Sequence, residues 1–276
     1  MSQTNINHAE ASGTFEHVAI VFRYLFSPII QIRFVTAVIW TTFTLALRPS
    51  TWSPIVRDVL ARQIFFTGVG ALSITCVGGL MVGVSVVAQA GVWLARFDQS
   101  EYFGPLVANL VVQNLGPLLV NFFVIGRSGT AITTELANMV VHHEIEVLDA
   151  QGVDPFLYLV VPRVIGMAIS VFCLTVVFVT VAMLGGYLFG IALQVPALGG
   201  AHFAHGIFLS LGPKAMFLFM LKTILPGMVT GAVCCAYGLQ VEPVLTAVPQ
   251  AGTKAVVTAV WAMFIVSTLA SVLALL

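Results

Sequence analysis

The sequence predicts an all-α integral membrane protein in which an N-terminal interfacial amphipathic helix precedes five transmembrane helices. Three observations carry this. Of the 276 residues, 59% are hydrophobic and only 8% are charged, against about 25% charged in a soluble domain. The mean hydropathy is +1.04. Five apolar stretches reach the ~20 residues that a helix needs to cross a bilayer. Such a chain is neither a water-soluble globule nor disordered. Its 11 Lys+Arg balance 11 Asp+Glu, so the basic surface of a nucleic-acid binder is missing too.

The N-terminal region comes first. Met1–Gly13 is polar, with no basic segment ahead of an apolar core, so no signal peptide is expected. From Phe15 to Gln31 the polar residues Glu16, Arg23, Ser27 and Gln31 fall on one helical face, and Pro28 should kink the segment. A second piece, Arg33–Leu47, carries Thr36, Thr41, Thr42 and Thr44 and ends at Arg48-Pro49. Amphipathic pieces with arginines at their ends fit helices lying in the membrane interface. A sixth span over Phe34–Leu47 is the competing reading, weakened by the shortness of the run.

The expected spans are Ile64–Ala90; Pro105–Ile125, interrupted at Gly116-Pro117; Phe156–Leu193; Pro213–Ala236, interrupted at Pro226-Gly227; and Thr253–Leu276. Arginine and lysine set the orientation. With the N-terminus in the cytoplasm, Arg23, Arg33, Arg48, Arg57, Arg62, Arg127, Arg163 and Lys254 lie at the inner surface. Only Arg96 and Lys214 lie outside. The C-terminus is then on the far side, and loops 127–155 and 237–252 are cytoplasmic. Gly79/Gly83, Gly186/Gly190 and Gly227/Gly231 each place two small residues on one helix face, which lets helix backbones approach in lipid. Cys76, Cys173, Cys234 and Cys235 all sit in apolar runs and read as small buried hydrophobes, without disulfide or metal spacing.

The longest polar stretch is Gly126–Pro155. It opens Gly126-Arg127-Ser128-Gly129-Thr130-Ala131, passes Glu135, and ends in an acidic segment with Glu144, Glu146, Asp149 and Asp154. Ile145, Leu148 and Gly152 recur there at helical spacing, and Gly152 with Asp154-Pro155 supplies a stop. This is a short amphipathic helix on the cytoplasmic face. It is either a solvated connection or a docking surface for a partner.

Leu115-Gly116-Pro117, Gly126-Arg127-Ser128-Gly129-Thr130-Ala131 with Glu135, Gly152-Val153-Asp154-Pro155, Pro162-Arg163 and the C-terminal Ala251-Gly252-Thr253-Lys254-Ala255-Val256-Val257 follow in order. In this set the chain resembles, from about Ile64 to its end, the MlaE/YrbE family. These are permease subunits of MCE-type ABC transporters that move phospholipids and other lipids between membranes. The resemblance implies that 142–155 is a coupling helix for a cytoplasmic ABC ATPase, through His143, Glu144, Glu146, Leu148, Asp149, Gly152 and Asp154. It implies a homodimer, a periplasmic MCE-domain lipid-binding protein, and location in a bacterial inner membrane, and it admits a STAS-domain accessory protein. The chain then divides into 1–62, with the polar N-terminus and interfacial helices, and 63–276, the five-span permease domain.

Several positions depart from the family pattern. Family members usually carry Arg-Glu before Leu-Gly-Pro, where this chain has Gln113-Asn114, and an aspartate in the last span, where it has Ser267. They begin the coupling helix with Glu-Gln, which here is His143-Glu144. The span-four lysine remains as Lys222. The assigned spans offer it no carboxylate. Either Lys222 faces the lipid pathway and meets an anionic headgroup, or it snorkels or bonds to backbone carbonyls freed by Pro226. The pathway is expected among spans one, two and five, with Met81, Gln113, Asn114, Lys222 and Ser267 along it and Gly79 and Gly83 at contacts.

No catalytic signature is present. Gly252-Thr253-Lys254 lacks the upstream glycine of a phosphate-binding loop, so ATP hydrolysis is expected in another subunit. His202 and His205 have no acid or cysteine nearby, and His142-His143-Glu144 lacks metal-ligand spacing. Gly126-Arg127-Ser128-Gly129 is one residue short of a nucleophile elbow. No cofactor is expected. An ion-coupled secondary transporter would need intramembrane Asp or Glu, and a non-transporting scaffold would be indifferent to loss of an ATPase.

Overall fold

Inside a bilayer the backbone must satisfy its own polar groups, which favours helices, and every regular element among the described residues is helical. The computed structural model describes residue 33 and residues 35–46, 54–96, 103–192 and 212–275. The polar N-terminus, the expected helix over Phe15–Gln31 and the His202/His205 pair lie outside them. A short helix α1, Val35–Ala46, is followed by α2, Pro54–Arg96. Then come α3, Gly104–Val141; α4, Glu144–Ala150; α5, Phe156–Ala192; α6, Pro213–Leu239; and α7, Ala247–Leu275. Helices α2, α3, α5, α6 and α7 are long and apolar enough to cross a membrane. With 12 described residues, α1 extends about 18 Å at 1.5 Å per residue, short of a ~30 Å hydrocarbon core.

Helices α2, α5, α6 and α7 pack side by side in that order, and α3 lies across them, touching all four. Successive spans run antiparallel. Glu135 near the end of α3 meets Arg163 near the start of α5, and Gly238 at the end of α6 abuts Leu136 and Thr133 of α3. At the other end, Gln113 early in α3 meets Lys222 early in α6.

Glycines set the closest approaches. A Cβ on Gly79 would fall 2.9 Å from the Phe178 carbonyl oxygen, one on Gly83 would overlap the Ala182 carbonyl, and one on Gly186 would lie 2.8 Å from the Gly83 carbonyl oxygen. On its other side α5 receives α6, where Cβ atoms on Gly227 and Gly231 would lie 3.1 and 3.0 Å from the Cα atoms of Ala168 and Val164. Helix α5 is therefore in backbone contact with both neighbours, the arrangement that dispersion and small residues favour in lipid. Gly190 is buried further along it. Few polar bonds cross the bundle, among them Thr133 Oγ1 donating to the Cys234 carbonyl at 3.1 Å. The four cysteines are free, and Cys234 and Cys235 are fully buried.

The structure corrects several expected boundaries. Helix α2 begins at Pro54, ten residues before Ile64, because Arg57, Asp58 and Arg62 ride on a helix that projects beyond its apolar part. Gly116-Pro117 and Pro226-Gly227 do not interrupt their helices. Gly126 does not open a loop, since α3 stays helical to Val141 through wide π-helical turns at Asn109–Leu115 and Ile125–Gly129. Such turns absorb an extra residue without ending a helix. The segment Thr130–Val141 is held by burying Ile132, Leu136 and Ala137. Arg127 is consequently not at a surface loop but within α3, its guanidinium 5.8 Å from the Phe66 ring centroid on α2. Glu135 likewise lies on a spanning helix, although the sequence partition left no carboxylate in a span. It sits six residues before Val141, about 9 Å along the axis from the end of the helix.

Candidate functional site

Three polar features stand out against the apolar bundle, two at the end that carries α4 and one towards the other. The first is α4 itself. The helix is only Glu144–Ala150, shorter than the expected 142–155, and its flanks are built to define it. Gly152 takes φ +76, its N–H donates to the Asp149 carbonyl at 2.9 Å, and Val153 N–H donates to the Leu148 carbonyl at 3.1 Å. This is a Schellman closure, which needs a left-handed residue where glycine sits. Asp154 then starts the next helix, its carboxylate accepting from Phe156 N–H at 2.9 Å with Pro155 between. At the other flank His143 adopts φ +58, and its Nδ1 lies 3.1 Å from Glu146 Oε1. Ile145 and Leu148 pack against the core, while Glu144, Glu146, Val147 and Asp149 face outward. The result is an acidic knob clamped between α3 and α5.

The second feature is a cavity of about 580 Å³ at the same end, between the start of α2, the end of α3 and the start of α5. Arg163, whose side chain is 7% exposed, donates through Nη2 to Glu135 Oε1 at 2.8 Å and through Nη1 to the Leu159 carbonyl at 2.9 Å. Its Nε is buried and has no hydrogen-bond partner among the described residues. Across the cavity Arg62 pairs with Asp58 at 2.9 Å on the exposed face of α2. The sequence offered Glu135 only as a motif residue, and Arg163 as an inner-surface cation and beside Pro162. The Asp58/Arg62 spacing of four was a readable helical pair; the meeting of Glu135 with Arg163 was not.

The third feature is Lys222, 5% exposed on α6. Its Nζ donates to the Gln113 carbonyl and to Asn114 Oδ1, both at 3.2 Å. Gln113 lies in the π-helical turns Asn109–Leu115 of α3, so the carbonyl that Lys222 bonds is on a neighbouring helix and not one freed by Pro226 on its own helix. The structure thus joins three of the five expected pathway residues. Met81 is exposed on α2, turned away from the Gly79/Gly83 contact, and Ser267 is half-buried on α7, its carbonyl accepting from Ser271 Oγ at 2.9 Å. The motif glycines divide similarly. Gly116 and Gly129 are buried, with prospective Cβ contacts of 2.9 Å to the Val111 carbonyl oxygen and 3.0 Å to Cys234 Sγ, whereas Gly126 is open.

Five antiparallel apolar helices, a glycine-lined backbone seam and a capped acidic helix between two spans define a multi-pass membrane protein of the permease type. Comparison with known proteins agrees. The family model described as Permease MlaE matches residues 60–273, and the chain belongs to that family of ABC transporter permeases. It is 28% identical over 204 residues to a probable ABC transporter permease protein of Rickettsia conorii, covering 74% of this chain and 78% of that one. It is 31% identical over 133 residues to the intermembrane phospholipid transport system permease protein MlaE of Haemophilus influenzae, covering 48% of this chain and 51% of that one. The chloroplast protein TRIGALACTOSYLDIACYLGLYCEROL 1 of Arabidopsis thaliana is 26% identical over 209 residues, which are 74% of this chain and 58% of that one.

Proposed function

We propose that two copies of this chain form the membrane core of an ABC transporter that moves phospholipid or a related lipid between the inner membrane and the periplasm or outer membrane. A separate ATPase subunit docks on α4 at the cytoplasmic end, and a periplasmic MCE-domain protein receives or delivers the lipid. The observation that carries this reading is α4: a short helix fixed by Ile145 and Leu148, capped by Gly152, and presenting Glu144, Glu146 and Asp149 outward. A partner that moves this knob moves α3 and α5 with it, because both are joined to it by tight turns. The phospholipid transport system to which the Haemophilus relative belongs supports a phospholipid as cargo. The orientation rests on the arginine and lysine count, which stands at seven to two even when Arg127 is removed from the inner surface.

Helices α2, α3 and α7 would line the pathway, since α3 packs against both of the others and α2 and α7 keep broad apolar faces open, with Trp93, Trp261 and Leu269 exposed. Affinity purification of the tagged chain from membranes, with mass spectrometry of bound subunits and lipids, tests the proposal. It should recover an ATPase and phospholipid, and charge reversal at Glu146 and Asp149 should release the ATPase. Recovery without an ATPase, and indifference of assembly to those reversals, would overturn it.

A further inference from the structure

We propose that the cavity at the α4 end is a binding site for a zwitterionic phospholipid headgroup of the adjoining leaflet, of the phosphoethanolamine type. It is separate from the pathway residues around Lys222. Its size, about 580 Å³, falls among ordinary ligand pockets. Its depth suits a headgroup: Asp58, Arg62, Glu135 and Arg163 all lie within the first or last few turns of helices longer than the hydrocarbon core, at the interfacial level.

The charge arrangement selects the ligand class. Two ion pairs face the cavity, Asp58 with Arg62 at 2.9 Å and Glu135 with Arg163 at 2.8 Å. The cavity therefore offers cations and carboxylates together, with no excess of either. A phosphate alone would meet the repulsion of Asp58 and Glu135, and an ammonium alone that of the two guanidiniums. A group carrying both charges a few ångströms apart fits each to its opposite, the phosphate on Arg62 and the ammonium between Asp58 and Glu135. Arg62 is free to turn inward, since its side chain and that of Asp58 are 81% and 62% exposed. Arg163 stays fixed by its Leu159 and Glu135 bonds and holds the Glu135 carboxylate at the rim.

The remaining walls argue for a lipid over a soluble phosphate. Ile55, Val59, Phe66 and Met139 supply an apolar side, and Ile55 and Phe66 are exposed on one flank of α2. Acyl chains can leave the cavity along that flank without passing through the bundle.

The test uses the purified chain in detergent, titrated with dihexanoyl phosphatidylethanolamine, dihexanoyl phosphatidylglycerol and free O-phosphoethanolamine, with binding read by calorimetry. It needs neither ATPase nor MCE partner, so its outcome is distinct from that of the transport proposal. The ethanolamine lipid should bind about threefold tighter than the glycerol lipid, the size of effect that a partly exposed charge pair supplies, and O-phosphoethanolamine far more weakly. Asp58→Asn should abolish the preference for ethanolamine, and Arg62→Gln should weaken both lipids. Both residues are exposed, and unchanged melting of the variants shows that the fold is kept. Equal binding of the two lipids by the wild-type chain, indifference to both substitutions, or free phosphoethanolamine binding as tightly as the lipid would overturn the proposal.

Discussion

Among the described residues two cations are buried in the bundle, Arg163 and Lys222, and α3 holds both of them in different ways. Near the α4 end Arg163 meets a carboxylate, Glu135, and a carbonyl, that of Leu159. Towards the other end Lys222 meets a carbonyl, that of Gln113, and a side-chain amide, that of Asn114. The first is an ion pair whose acid is 59% exposed. The second is a charge held by dipoles alone among the described residues. Removing a partner therefore means different things at the two sites. At Arg163 it removes the opposite charge; at Lys222 it removes a neutral acceptor.

The largest effect is expected from breaking the ion pair. Glu135→Ala leaves Arg163 with one carbonyl and no opposite charge, and should destabilise the chain by about 3 kcal/mol, the low end for a broken buried pair because the acid is partly solvated. Thermal unfolding in detergent checks it, and a loss under ~1 kcal/mol, the range of exposed pairs, would show the pair to be ornamental. Lys222→Met should cost only about 1 kcal/mol. The lost bonds to the Gln113 carbonyl and the Asn114 amide oppose, and the relief of a buried ammonium favours, the substitution.

The comparison sharpens in a double-mutant cycle. Asn114→Ala removes the second acceptor of Lys222 Nζ, so Lys222→Met should cost about 1 kcal/mol less in that background. Strict additivity would mean that Lys222 is not held by the Asn114 amide. The smallest effect belongs to Asn114→Asp, which gives Lys222 a carboxylate at an exposed position. A gain of about 0.5 kcal/mol, lost in high salt, is the expected outcome. The same variant can be assayed for lipid transfer to test whether the neutral pair Gln113-Asn114 alters handling of the substrate.

These contrasts also mark where sequence reasoning succeeded. The five spans were legible because twenty or more consecutive apolar residues have few other uses. The end of α4 was legible because Gly152 and Asp154-Pro155 are local stop signals. Helix α3 was misread for a related reason. Gly116-Pro117 and Gly126–Gly129 are local helix breakers, whereas their repair is not local. It comes from π-helical turns, from Lys222 on α6, and from burial of Ile132 and Leu136 in the bundle. The Glu135–Arg163 pair was hidden similarly, because its members are 28 residues apart with α4 and two turns between them. Sequence spacing reports contacts within a helix and is silent on which helices meet.

The claim that α4 receives a motor subunit has a direct test. A photocrosslinking residue placed at Val147, exposed on α4, is compared in native membranes with one at Met216, exposed near the opposite end of the bundle. The account predicts an adduct with an ATPase subunit from position 147 and none from position 216. No ATPase adduct from 147, or equal adducts from both positions, would contradict it.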